Sequence, residues 1–332
     1  MKRLKLIAVL VLVGAIAGAL VVWWDYKTVF PSTSDAYIQA NIISVAAQVP
    51  GQVKRVEVQN YQFVKAGQVL FLLDDKNFRD AETGIQTQVK TLRDASGTFV
   101  RQINAAKAAV VSANVALQTA DDSLERNRIL FQKGDIARAR LDQSQAGAAR
   151  AQAGADAATA RLAAARSTLV ANREQLTAAQ AQLKTARQNL AYTTVTAPAD
   201  GWIANLRLRQ GAVVGAYMPL FSLVENSAWW LEANFKETDL ARIRDGQPAT
   251  VSIDLFPGVK FQAKVSAIGA GSGATFSLLP PENATGNWVK VTQRFPVRLS
   301  IERGTRDLRV GASATVTIDT LNGETPWWMV WK

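Results

Sequence analysis

Little in this chain of 332 residues could carry out covalent chemistry. It contains neither cysteine nor histidine, which removes thiol and imidazole nucleophiles, Ser-His-Asp arrangements and most zinc sites together. No residue pattern points to a cofactor or a resident metal. The glycine-spaced stretch GAGSG, Gly269 to Gly273, lacks a following Lys-Ser/Thr, and neither flank reads as a helix. It is expected to be flexible backbone rather than a phosphate cradle. Asn283-Ala284-Thr285 fits a glycosylation acceptor, but bare triplets of this kind are common. The missing cysteines also exclude disulfides, while an oxidising compartment stays permissible. What remains is contact chemistry: charges and apolar groups carried at the ends of long elements.

The first such element is the N-terminus, MKRLKLIAVLVLVGAIAGALVVWWDYK. Leu6 to Trp24 is a run of 19 residues without a charge, about long enough to cross a bilayer core as a helix. Lys2, Arg3 and Lys5 precede it and should stay cytoplasmic, while Trp23 and Trp24 suit the far interface. A cleaved signal peptide would use the small residues Ala17 and Ala19. The apolar run continues past them, so an uncleaved anchor is expected, with the bulk of the chain periplasmic. Gly14 and Gly18 form a GxxxG pair that could bring anchors together. The formal charge of +11 would suit nucleic acid, but everything past the anchor is expected across the membrane, away from nucleic acid. Residues 76–190 hold 17 basic and 10 acidic side chains, a net +7 spread over a long surface. That reads as a solvated basic face, open to an acidic partner or anionic lipid.

That surface is helical and heptad-patterned. Phe78, Ile85, Leu92 and Phe99 are seven apart, and after a four-residue step Ile103, Val110, Leu117, Leu124 and Phe131 continue the ladder. Such a stutter unwinds a coiled coil locally without ending it. The return segment runs Leu141, Ala148, Ala155, Leu162, Leu169, Leu176, Leu183, Leu190. Ser144, Ala151, Ala158, Ala165, Asn172, Ala179 and Ala186 lie three positions after its first seven members. Sustained heptads mean a narrow seam between two helices. Between them, FQKGDIAR offers Gly134 to close one helix and Asp135 to cap the next. The spacing predicts an antiparallel hairpin with arms roughly 80 Å long at 1.5 Å per residue, too long to do anything but project.

The hairpin separates two copies of one pattern. Val45, Ala47, Gly51, Val64, Ala66, Leu70, Phe71 and Leu73 return 150 positions later as Val195, Ala197, Gly201, Val214, Ala216, Leu220, Phe221 and Leu223. Each copy reads as short strands too small to build a core alone. The hairpin brings their ends together, so they are expected to be halves of one β-sandwich.

VPGQVKRVEVQNYQFVKAGQVLFLLD and TAPADGWIANLRLRQGAVV resemble the half-motifs of the biotinyl/lipoyl domain. Split by a helical hairpin and placed behind an anchor, they resemble the periplasmic adaptor or membrane fusion protein family (HlyD/EmrA type). TSDAYIQANIISVAAQVPG, LEANFKETDLARIRDGQPATVSID and FSLLPPENATGNWVKVTQRFPVRL are similar to its EmrA-like branch, which serves major-facilitator multidrug pumps. The resemblance implies no enzyme and no cofactor. The turn that carries a modified Lys in true carriers is replaced by the hairpin, and Lys76 begins a helix instead. It implies an adaptor in the inner membrane, with a pump, a TolC-like outer-membrane channel and further copies of itself, a trimer or hexamer, as partners. Channel-docking relatives carry an Arg, a Leu four on and a Ser seven further at the tip. Here those positions are Arg126, Leu130 and Ala137, so the hydroxyl is missing. Arg126 could pair with a carboxylate or carbonyl and Leu130 fill an apolar notch, alongside Gly134, Asp135 and Ile136. Solvation of Arg126 and hairpin closure by Leu130 are the simpler roles.

From Trp229 onward short alternating runs separated by Gly, Pro and Asp suit a small barrel. The fold class is thus mainly β with an inserted helical hairpin. The expected divisions are 1–28 stub and anchor, 29–43 start of a membrane-proximal module, and 44–75 first lipoyl-like half. There follow 76–191 hairpin with its tip about 132–138, 192–225 second half, 226–265 barrel, 266–320 remaining barrel and membrane-proximal module, and 321–332 tail. In FSLLPPEN, Phe276, Leu278 and Leu279 either pack under the barrel or meet the pump or a neighbouring copy. Trp327, Trp328 and Trp331 either end the chain without order or anchor it at the interface beside Trp23 and Trp24. Other readings are an adaptor for an ATP-driven secretion or peptide exporter, a lipoyl or biotin carrier, and a plain coiled-coil spacer. The exported compound is not written in the sequence.

Overall fold

The computed structural model of the chain describes residues 2–273, 275, 292–302, 304 and 306–321. Phe276, Leu278, Leu279, the Asn283 triplet and the Trp-rich tail lie outside these. The helix α1 (Lys2–Val29) comes first. Its stretch Leu12–Val29 is long and apolar enough to cross a membrane, and Leu12, Ile16, Leu20 and Val21 expose more than half their surface. At its end Val29 is buried, and its carbonyl accepts from the Thr320 N–H at 3.3 Å and the Thr320 hydroxyl at 2.7 Å. This helix is therefore bonded directly to the barrel that follows.

The barrel has six strands: β1 (Ser32–Ala46), β8 (Pro219–Lys236), β9 (Pro248–Ile253), β10 (Lys260–Ile268), β11 (Arg294–Ile301) and β12 (Ser313–Ile318). They close in the order β1-β12-β9-β10-β11-β8 and back to β1, all antiparallel. Alternation along each strand fills the interior. On β12, Ala314, Val316 and Ile318 point in while Ser313 points out; on β10, Phe261, Ala263 and Val265 do the same. The first part of β1, expected to begin a membrane-proximal module, and β11 and β12, expected to be divided between barrel and that module, are staves of this barrel. GAGSG is also not loose backbone. The Gly269 N–H donates to the Pro296 carbonyl at 2.8 Å, and a Cβ on Gly269 would stand 2.7 Å from the Pro296 ring.

β1 and β8 do not stop at the barrel. They stay paired from Ala36↔Ala233 to Ala46↔Pro219 and run on as a two-strand ribbon into the second β unit. The register shifts between Val45 and Ala46, and more widely where Asn41 stands opposite the segment Glu225–Ala228. The Glu225 carboxylate accepts there from the Ser227 hydroxyl and from Asn41 Nδ2 at 3.1 Å. These bonds hold it below its ordinary value of 4.5. A depressed carboxyl contributes above that value and loses its contribution as pH falls through the shifted one, so the tie is fully made at neutral pH.

The second unit is the sandwich. One layer is β5 (Thr194–Thr196), β4 (Val69–Leu73), β2 (Gly51–Val56) and β7 (Val213–Val214); the other is the ribbon's end with β6 (Gly201–Ala204) and β3 (Phe63–Val64). Its single core draws on both halves of the repeat, with Leu70, Phe71, Leu73, Ile203 and Leu223 under 2% exposed. The halves are related residue by residue. Gly67 donates to the Ala197 carbonyl at 2.8 Å and Tyr217 to Ala47 at 2.7 Å; Gly211 donates to Val53 and Tyr61 to Ile203, both at 2.8 Å. Each bond is the 150-residue image of its partner. The equivalent rings Phe71 and Phe221 meet edge to face at 6.1 Å. The repeat is two halves of one domain, and its pattern of strands and turns follows from that pairing.

From this base project α2 (Lys76–Gln132) and α3 (Arg138–Ala191). The heptad positions of α3 from Leu141 to Leu190 are buried or half-buried, and nearly every other residue of the helix is exposed. On α2 the ladder holds except at its end, where Phe131 is 38% exposed. Val89, outside the predicted ladder, is buried at 6%. It stands fourteen before Ile103 on one ladder, while Phe99 continues in sevens as Ala106, so the two rows of the seam run unbroken and the expected stutter is absent. On the same ladder, seven before Ile103, Ser96 bonds the buried Asn172 of the other helix at 2.5 Å. One buried polar pair in an apolar seam penalises any slip of register. Near the base, Glu82 and Arg187 pair at 3.0 Å.

Within its layer β6 comes closest to β8 at Gly201, where a Cβ would run into the Val224 carbonyl; its equivalent Gly51 would meet only Leu73 side-chain atoms at 3.6 Å or more. Gly201→Ala is therefore expected to lower stability by about 2 kcal/mol or more, since backbone must move, and Gly51→Ala by clearly less. Urea unfolding of the two variants measures the difference. Equal losses would show that β6 and β8 do not approach as closely at Gly201 as described.

Candidate functional site

With no catalytic constellation among the described residues, the candidate site is a contact surface at the hairpin tip. α2 ends there on a left-handed glycine. Gly134, at φ +80°, turns the chain so that its N–H bonds the Phe131 carbonyl at 3.0 Å and the Asp135 N–H bonds Leu130 at 3.0 Å. This paired closure satisfies the last helical carbonyls, and a residue with a Cβ would be strained in it. Asp135 is thereby spent on closing the first helix through its backbone. It does not cap the second, contrary to expectation: Ala137 occupies that position, extended at φ −71° and ψ 148°, and no side chain caps the helix. The position where docking relatives carry a hydroxyl is thus the start of α3.

Closure leaves an apolar crown. Ile129, Leu130 and Phe131 are 43%, 38% and 38% exposed. Successive helical residues point about 100° apart, so the three cover different sides, and Ile136 half-buries itself in the turn. Leu130 was expected here; Ile129 and Phe131 were not, because Phe131 reads as the last rung of the seam. The opposing helix begins only at Arg138, so that rung has no partner. Around the crown Arg126, Arg128, Lys133, Arg138 and Arg140 are exposed. Arg126 is held loosely, its Nη2 donating to the Ser123 hydroxyl at 3.1 Å. Such a tip can press apolar groups into notches while its collar finds carboxylates or carbonyls. The anchor residues stand apart, on α1: Leu6 lies in its first part, Gly14 and Gly18 have open space around them, and Trp23 and Trp24 are 54% and 74% exposed, with Lys27 Nζ 4.3 Å from the Trp23 ring centre.

An anchor helix, a barrel, a split sandwich and a projecting hairpin define an adaptor, a protein that works by spanning and contact. Comparison with known proteins agrees. The model of the "RND MFP, barrel-sandwich hybrid domain" matches residues 41–225, and that of the "CusB-like, beta-barrel domain" matches 228–275. The chain is 34% identical over 329 residues to "Multidrug export protein EmrA" of Haemophilus influenzae, covering 96% of this chain and 83% of the relative. It is 37% identical over 303 residues to "Fatty acid resistance protein FarA" of Neisseria gonorrhoeae, covering 87% and 75%. The solved "Structure of the periplasmic adaptor protein EmrA" superposes with a TM-score of 0.45 at 20% identity, covering 88% of this chain and 99% of that one. The chain belongs to the membrane fusion protein family of periplasmic adaptors, in its EmrA-like branch, whose members work with inner-membrane pumps and outer-membrane channels.

The uncapped start of α3 gives a direct check of the tip geometry. Ala137→Ser should add a hydroxyl acceptor for the free N–H groups of the first turn and stabilise the hairpin by about 1 kcal/mol. The helical circular-dichroism signal in urea should show a raised midpoint. A lowered midpoint would mean that Ala137 is not the capping residue.

Proposed function

We propose that this protein links a major-facilitator drug pump in the inner membrane to a TolC-like channel in the outer membrane, as a ring of several copies. α1 holds the chain in the inner membrane with the N-terminus cytoplasmic. The barrel and ribbon carry the sandwich, and the hairpin delivers its crown to the channel. The observation that carries this reading is the hairpin itself. α2 has 57 residues, roughly 85 Å at 1.5 Å per residue, its seam is filled by its own other arm, and its far end is apolar without a partner in the chain. A spacer would have no use for such an end. The names of the relatives, multidrug export and fatty acid resistance, support efflux of amphipathic toxic compounds. The work done on the cargo is the pump's; the adaptor contributes shape and contact. Phe276, Leu278 and Leu279 belong to this reading as contacts with the pump or a neighbouring copy.

In-cell cross-linking followed by pull-down of the intact protein should recover a major-facilitator pump and an outer-membrane channel. Recovery of an ATP-driven transporter would assign the adaptor to secretion instead. Arg126→Glu and Leu130→Asp should each lower channel cross-linking and efflux about tenfold, the effect of losing roughly 1.4 kcal/mol at a contact, with the pump still recovered. Unchanged channel cross-linking in both variants would remove the tip from the docking surface.

A further inference from the structure

One side of the hairpin carries a charge that its own folding does not use. Near the base a groove is lined by Lys90 and Arg93 of α2 and by Lys184 and Arg187 of α3. Steps of seven carry the row of Arg93 on to Lys107, and the row of Arg187 back to Arg173 and Arg166. The buried seam keeps each row on its own side, and the contacts of Ser96 with Asn172 and of Glu82 with Arg187 fix which residues are level. Lys90, Arg93, Lys107, Arg166, Arg173 and Lys184 thus form one stripe, roughly 35 Å long at 1.5 Å per residue. All six are exposed, and none of them joins an ion pair with another described residue.

The acids near the stripe do not cancel it. Glu82 is taken by Arg187 at 3.0 Å. Asp80, Asp94 and Glu174 lie one row further round, in the rows of Thr87 and Gln188, and Arg101 shares the first of these. Nearer the tip the same side becomes mixed: Asp121, Asp122 and Glu125 stand with Arg128, and Asp142 and Asp156 fall in the row of Lys184. The opposite side has no such stripe. Its groove holds Gln182, Thr185 and Asn189 of α3 with Ala81 of α2, and over the same height their rows contain one charge, Arg161. Both sides close over one seam, so packing asks the same of each. Lys90 with Arg93, and Lys184 with Arg187, put like charges on neighbouring turns of a helix, which weakens it. The stripe costs the hairpin stability and gives its fold nothing in return.

We infer that the base half of the hairpin binds the carboxylate-bearing polymer of the cell wall, peptidoglycan, along this stripe. The inference takes from the adaptor reading that the hairpin stands upright between the two membranes. A stripe parallel to the helices then faces the aqueous space, because a bilayer meets an upright hairpin only at its ends. The polymer in that space carries free carboxylates on its repeating peptide stems. Arginine takes a carboxylate through paired hydrogen bonds and lysine takes it as a point charge. Each exposed pair is weak, but pairs repeated along one rigid stripe against a repeating polymer reinforce one another through effective concentration. Thr83, Gln86 and Gln180 in the groove add donors and acceptors for the amides and hydroxyls of the polymer. Bound in this way, the hairpin is braced along its length rather than at its ends alone.

Full-length protein in discs of neutral lipid should sediment with purified peptidoglycan sacculi at low salt and be released as salt rises. Arg166→Glu with Arg173→Glu should weaken that binding about tenfold by setting like charge against the carboxylates. Arg150→Glu with Arg161→Glu, the same change of charge on the opposite side of the same helix, should weaken it by less than about twofold. Both pairs should keep the helical circular-dichroism signal. Sacculi whose carboxylates have been converted to neutral amides should no longer bind. Equal losses in the two pairs, or binding that survives amidation, would overturn the inference, since net charge or the glycan would then be responsible. So would phosphatidylglycerol vesicles that displace the sacculi and lose the protein on Arg166→Glu with Arg173→Glu, which would make a lipid surface the occupant. Failure to bind sacculi while pump and channel are still recovered would sink the inference and leave the adaptor reading standing. Binding without recovery of either partner would uphold the stripe and sink that reading.

Discussion

Everything in this molecule depends on two short β segments meeting across an insertion. Neither half of the sandwich can bury its apolar side alone, and the meeting of Phe71 with Phe221 is the point where each supplies what the other lacks. The hairpin is held at both roots by that meeting: the Leu73 N–H donates to the Thr193 carbonyl at 2.8 Å, and the Asp75 carboxylate at the start of α2 takes Lys54 at 3.3 Å and Arg79 Nε at 2.7 Å. A seam of alternating Leu and Ala then keeps two slender helices together with no other support. The Ser96–Asn172 pair fixes their register, because a shift would leave a buried amide without its bond. The projecting tip is thus aimed by a small core far behind it.

The link toward the membrane is of a different kind. β1 and β8 are shared between barrel and sandwich, so no free linker separates the two units. The larger of the ribbon's two register shifts sits at the junction and is tied by Glu225 to Ser227 and Asn41. Rings also bridge it: Phe63 meets Trp202 at 5.1 Å, and Trp202 meets Trp229 at 6.2 Å. Together with the Thr320 bonds to Val29, these hydrogen bonds and ring contacts connect α1, barrel and sandwich.

Much of this was legible in the residues because it rests on spacing. Heptads name the seam of α3 position by position, since burial in a coiled coil is a matter of angle around one axis. The internal repeat names the sandwich, since two halves related by symmetry must keep the same apolar pattern. What spacing does not encode is choice of partner. Strands β11 and β12 alternate like any half-buried strand, and nothing in their alternation says that they close the same barrel as β9 and β10. Asp135 has the side chain of a cap, but Gly134 commits its N–H to the preceding helix and the chain needs two more residues before α3 can start. Phe131 carries the period of the seam one rung past the point where the opposing helix exists. The spacing is continuous there; the neighbour is not. The tip's apolar crown was therefore visible only once both helix ends were known.

The insertion also governs the order in which the chain can assemble. When residues 45–73 emerge in synthesis they face a partner that is still 150 positions away. Closing a flexible loop of that length costs on the order of 4 kcal/mol in chain entropy. Helices made of near neighbours form early, since local contacts outrun distant ones. Once α2 and α3 have zipped, the ends Asp74 and Thr193 are adjacent, and the long closure has become a short one. The mast that reaches outward in the finished protein serves first as the splint on which its own foundation sets.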